Sequence, residues 1–188
     1  MKTRKAFLVI DMQKEGIELP YPSSTKLRNA KQLISNIKKL IRGFKETGNL
    51  VIQTKVWITD PKKTTMTKVY PNEGIAGTHG AEIIDELKTE HYDYVVKKTH
   101  YSGFWKTNLD AILRNHRVRE VYLTGINTGF CIFCTGLDAF YRGYDTFLIE
   151  DGTMTVMGRR AHRQGVKQFA WFCGNNVVTT SALLSRLR

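Results

Sequence analysis

The chain has 188 residues, enough for one domain that buries its own core without disulfides or metal. Hydrophobic residues make up 41%, charged residues 24%, and there are only four prolines, which excludes a disordered or fibrous chain. Net charge is +12, from 29 Lys and Arg against 17 Asp and Glu, but the basic residues are scattered and no stripe is interleaved with stacking aromatics. A solvated basic surface is therefore expected and a nucleic-acid partner is not. The longest apolar runs, such as Ala6 to Ile10, are too short to span a bilayer, and the amino terminus lacks the order of charge, apolar core and cleavage site that export needs. Three cysteines without such a signal point to reduced thiols, so the expectation is a cytoplasmic protein with no membrane partner.

Short runs rich in β-branched and aromatic residues recur along the chain. They are AFLVI (6–10), NLVIQTKVW (49–57), YDYVVK (92–97), EVYLTG (120–125), YDTFLIE (144–150) and NVVTTS (176–181). They do not alternate strictly, as expected for strands covered on both faces. Between the first two, Ser24 to Gly48 carries Leu27, Ala30, Ile34, Ile37, Leu40, Ile41 and Phe44 at helical spacing, and Gly48 suits a helix end. Residues 108–115, 128–142 and 158–172 read as further helices. The stretch from Trp57 to Glu82 holds Pro61, Pro71, Gly74, Gly77 and Gly80 without periodicity and reads as a long functional loop. Strands alternating with helices imply βαβ units. The expected fold is a single α/β domain over 1–188, a three-layer Rossmann-like α/β/α sandwich around a mostly parallel sheet of about six strands.

In such sheets ligands bind beyond the carboxyl ends of the strands. Asp11 follows the first strand, Lys98 the third, and Cys131 lies in a turn entering a helix after the fourth. All three should share one edge. At a helix start that Thr128 or Asn127 could cap, unsatisfied amides and the helix dipole would stabilise a Cys131 thiolate, and the same amides could hold an oxyanion. The position also suits a small buried hydrophobe. Asp11, partly desolvated at the strand end, could take the thiol proton, or merely cap the next turn. Of the adjacent Lys97 and Lys98, alternation turns one inward, where it would stabilise both anions. Cys134 forms C-x-x-C with Cys131, but no second pair accompanies it, so Cys134, like Cys173, is expected to pack in the core. Trp57, Tyr101, Phe104, Trp105 and Phe130 gather near the expected strand ends and could wall a small pocket for a planar substrate, although core packing serves Phe104 and Phe130 equally well.

LVIDMQ (8–13), GIAGTHGAEI (74–83), KTHYSGF (98–104) and GINTGFCIFCTGLDAFYRGYDTFLIEDG (125–152) together resemble the successive motifs of the isochorismatase-like cysteine hydrolases. The likeness runs through nearly the whole chain in the family's order. It implies a triad of Asp11, Lys98 and Cys131, a cis peptide between Ile126 and Asn127, and an oxyanion hole made by the backbone amides of Asn127 and Cys131. It also implies a homodimer or homotetramer. Family members that cleave amides do so through a thioester on the cysteine, so the expected substrate is a small amide, ureido or carbamoyl compound. Nicotinamidases of the family bind a metal through an Asp-x-His pair after the second strand. Here Val56 and Ile58 stand at those positions and cannot ligate, leaving Asp60 and His79 as the nearby donors. No cofactor or metal is therefore expected. Isochorismate-cleaving members often lack the cysteine, so Cys131 points to carbon–nitrogen bond hydrolysis.

Overall fold

The computed structural model describes residues 4–18 and 30–187. The part of the first expected helix before Ala30, including Ser24 and Leu27, lies outside the described residues. The strands are β1 (Arg4–Ile10), β2 (Leu50–Val56), β3 (Tyr94–Lys98), β4 (Val118–Ile126), β5 (Asp145–Met154) and β6 (Val177–Val178). They form one sheet in the order β3-β2-β1-β4-β5-β6, with every pairing parallel.

The helices are α1 (Lys14–Ile17), α2 (Ala30–Glu46), α3 (Met66–Val69), α4 (Asp85–Lys88), α5 (Leu109–Asn115), α6 (Phe133–Tyr141), α7 (Arg159–Phe172) and α8 (Thr180–Leu187). Two cores flank the sheet. Ala6, Leu8 and Ile10 of β1 point into one, with Leu109 and Leu113 of α5, Ala139 of α6 and Phe169 of α7. Phe7 and Val9 point into the other, with Leu33, Ile37, Leu40 and Phe44 of α2 and Leu183 and Leu187 of α8. This explains why β1 is continuously apolar: both faces are covered, and each fully buried aliphatic or aromatic side chain contributes up to about 1.5–3 kcal/mol.

Two sequence expectations change. Residues 128–142 are not one regular helix: Thr128–Ile132 form a π-helical turn, and α6 follows it. The sixth strand is two residues long, because Thr180 already begins α8, where its amide and hydroxyl both donate to Asp151 Oδ1 at 2.7 and 2.9 Å. The Val-Val-Thr-Thr run suits a strand by composition, but burial of Leu183 and Leu187 favours the helix. The long stretch after Trp57 holds a short 3-10 turn at Pro61–Lys63 and α3, and returns to pair Ile75 with Ile58.

The order of strands places β1 at the centre, with the chain running outward through β2 and β3 and then restarting at β4 on β1's other side. Connections diverge there, and the crevice beyond the carboxyl ends of β1 and β4 is open to a ligand.

Candidate active site

Asp11 leaves β1 with a φ of 52°, a left-handed conformation that Asp tolerates better than most residues, and its amide donates to Thr54 O at 3.1 Å. Thr54 Oγ1 also donates to Asp11 Oδ1 at 2.8 Å, which fixes the carboxylate's orientation. Lys98, the last residue of β3, is 1% exposed, while its neighbour Lys97 faces outward. Its Nζ lies 2.7 Å from Asp11 Oδ2 and donates to the carbonyls of His100 and Tyr101 at 2.8 and 3.0 Å and to Cys131 Sγ at 3.4 Å. The structure thus brings Asp11, Lys98 and Cys131 together. Burial opposes the lysine's charge, but Asp11 and Cys131 beside it hold its pKa above the ordinary value, so it remains a cation.

The turn after β4 contains a cis peptide between Ile126 and Asn127. Gly125 before it has a φ of 109°, and a Cβ there would come 2.0 Å from Ile10 O, so this packing of β4 against the end of β1 requires glycine. Asn127 does not cap the following turn with its side chain; its Oδ1 accepts from Val156 N at 2.8 Å. Its carbonyl instead accepts from the amides of Phe130 and Ile132. Thr128 Oγ1 pairs with His162 Nδ1 at 2.9 Å. Cys131 follows, 9% exposed and packed into the core on that face.

Its environment differs from the expectation of a thiolate stabilised at a helix start. Burial pushes the Cys131 thiol well above its ordinary pKa; Lys98 opposes this, and the Asp11 carboxylate adds to it. The buried setting thus favours a thiol over a thiolate, beside a carboxylate placed to take its proton.

These groups floor a cavity of about 220 Å³ whose wall includes Val56, Ile58, Met66, Tyr70, Tyr101, Phe130, Val156 and Met157. Tyr101 and Phe130, stacked with ring centres 6.2 Å apart, line it as the sequence suggests. Trp57, Phe104 and Trp105 do not. Trp57 is covered by Lys55, whose Nζ sits 3.7 Å from the ring centre. Phe104 is a core residue against Tyr144, and Trp105 is half exposed beside His100.

Three functions of the motifs were not legible in the sequence. Gln13 stitches the end of β2, donating to Val56 O and Ala81 O and accepting from Val56 N. Thr135 Oγ1 accepts from Gly103 N at 2.9 Å and Asp138 accepts from the Ser102 hydroxyl, so α6 clamps the loop whose carbonyls hold Lys98. Glu15 lines the cavity and accepts from Gly74 N at 3.0 Å. Buried Gln13 and half-buried Glu15 are identified by partners that lie more than forty residues away in the chain.

A metal does not fit the residues present. Val56 and Ile58 form cavity wall, Asp60 accepts from Lys62 N and pairs with Lys63, and His79 is exposed beside Glu18. Among the described residues, no three His, Cys, Asp or Glu side chains converge to hold one.

Residues 5–182 match the family model of the isochorismatase domain. The ureidoacrylate amidohydrolase RutB of Agrobacterium fabrum is 31% identical over 173 residues, covering 79% of this chain and 75% of that protein. A cysteine hydrolase from Pseudomonas syringae pv. phaseolicola superposes with a TM-score of 0.88 at 26% identity, over 98% of this chain and 92% of that one. The N-carbamoylsarcosine amidase of Thermoplasma acidophilum gives 0.81 at 28% identity, over 95% and 97%.

Proposed function

Since the chain belongs to the isochorismatase family, we propose that it is a cysteine amidohydrolase cleaving a carbon–nitrogen bond of a small amide, ureido or carbamoyl compound without a metal. The observation that carries this reading is the contact set at the cavity floor, with Lys98 Nζ 2.7 Å from Asp11 and 3.4 Å from the Cys131 sulfur. Asp11 takes the thiol proton as sulfur attacks the substrate carbonyl, and the amides of Asn127 and Cys131 hold the oxyanion. Asp11 returns the proton to the departing nitrogen, which leaves as ammonia or an amine, and a thioester remains on Cys131. Water then gives a proton to Asp11 and its hydroxide to the thioester carbonyl, and the restored thiol recovers that proton. Lys98 keeps its charge throughout and orients both partners.

The same reading includes a homodimer or homotetramer in the cytoplasm, with neither membrane nor nucleic acid as partner. No helix among the described residues is long and apolar enough to cross a membrane. Cys131, Cys134 and Cys173 are all free thiols.

The test is ammonia release from a panel of small amides and ureido compounds, nicotinamide included, by metal-free protein. Cys131→Ala should lose at least about 10⁴-fold in kcat, whereas Cys134→Ser should stay near wild type. Activity that needs added metal, or that survives Cys131→Ala, would sink the mechanism.

A further inference from the structure

The molecule is strongly basic, yet the wall of its catalytic cavity is acidic. Asp11, Glu15 and Glu73 line it, and none of the described lining residues is Lys, Arg or His. The buried Lys98 charge beneath is matched by Asp11 at 2.7 Å. Glu15 follows Asp11 by four residues and sits in α1, whose Lys14 and Glu15 amides donate to Glu82 O and Gly80 O. Its carboxylate is fixed from the opposite side by Gly74 N, 3.0 Å from both oxygens. Gly74 has a φ of 66°, and a Cβ there would meet Val56 Cγ1 at 2.3 Å, so glycine lets that amide reach Glu15. A carboxylate offers about four acceptor positions and Gly74 supplies one N–H, which leaves acceptor capacity at the cavity wall.

We propose that Glu15 selects the substrate by charge, accepting from an N–H-bearing, preferably cationic group at the end away from the scissile carbonyl and excluding substrates with a carboxylate there. This rests on the amidohydrolase reading and narrows it. In a small cavity whose remaining wall is mostly apolar, a second carboxylate would be repelled by Glu15, while an ammonium or amide N–H would pair with it. Burial raises the Glu15 pKa and Gly74 lowers it, with Glu73 and Asp11 raising it further, for a net rise above the ordinary glutamate value. Selection for a cation is therefore present above that pKa and weakens as the pH falls through it. Tyr70, Tyr101 and Cys131 are the other titratable groups lining the cavity.

Three primary amides of one length give the probe: 4-aminobutanamide, butanamide and succinamate. Wild type should rank them in that order by kcat/KM, with about 100-fold or more between the first and last. Glu15→Gln keeps an acceptor for Gly74 N and should fold, but should narrow that ratio about tenfold, mainly through KM for the cation. The ratio of 4-aminobutanamide to butanamide should also fall as the medium is acidified, a change that a purely structural role for Glu15 would not produce. Equal turnover of succinamate, or an unchanged ratio in Glu15→Gln, would overturn the proposal. Binding of the same compounds to Cys131→Ala, followed by calorimetry, separates the two readings. Charge preference in binding without wild-type turnover overturns the amidohydrolase and leaves the selection standing. Cys131-dependent turnover without preference overturns the selection alone. Neither binding nor turnover overturns both.

Discussion

A buried thiol that stays protonated needs its base in contact; in the proposed mechanism Asp11 is that base, and its carboxylate also helps keep the proton on sulfur. Asp11→Asn separates these effects. With the carboxylate gone, Lys98 faces the sulfur without a counter-ion, so the Cys131 pKa should fall. Alkylation of Cys131 by iodoacetamide, followed by mass spectrometry, should then begin at lower pH than in wild type, while turnover drops by about 10⁴-fold. An unchanged alkylation profile would mean that Asp11 does not sense the thiol. Asp11, Lys98 and Cys131 were legible as candidates because each stands at or just beyond the carboxyl end of a strand-like run. The protonation state of the sulfur was not, because it depends on how completely the core covers Cys131, and that follows from β4, α7 and the π-helical turn packing together.

At the scale of elements, α6 acts on Lys98 through a loop. Its Thr135 and Asp138 hold Gly103 and Ser102, and that loop's carbonyls at His100 and Tyr101 hold the lysine. Thr135→Val should leave the Gly103 amide buried without its acceptor, costing about 1–3 kcal/mol in urea unfolding. It should also lower kcat more than it raises KM, because Lys98 loses the carbonyl cage that positions it. Full activity at reduced stability would confine Thr135 to a structural part. The T-x-x-D spacing in a helix and the S-G-F motif are both visible in the sequence, 33 residues apart from Ser102 to Thr135. Their pairing is not visible, since it arises from a helix returning across the sheet. The same distinction explains α8: Val-Val-Thr-Thr has strand composition, but the side chains of Asp151 and the α2 face capture Thr180 and the leucines after it as a helix.

On the whole molecule, charge and apolar surface are arranged unevenly. A net charge of +12 surrounds a cavity whose charged lining residues are carboxylates, so the basic residues that outnumber the acidic ones overall do not set the sign of charge in its wall. Trp171 is 88% exposed and Tyr141 73%, with Phe140 and Phe172 about half exposed near the ends of α6 and α7. If the proposed homo-oligomer uses this face, Trp171→Glu should reduce the mass measured by light scattering to a smaller assembly with kcat retained; an unchanged mass would place the interface elsewhere. The alternation of apolar runs and helical periods was enough to point to a mostly parallel α/β sheet and to the edge where Asp11, Lys98 and Cys131 meet, because strand burial and helix amphipathicity are written in local spacing. Cavity contents were a different matter. Trp57 and Phe104 stand near strand ends and yet do not line the cavity, whereas Glu15 and Tyr70 reach it from segments that meet only after the loop beyond β2 has folded back onto α1. Local order sets which residues stand at strand ends, and long-range packing sets which side chains share one small space.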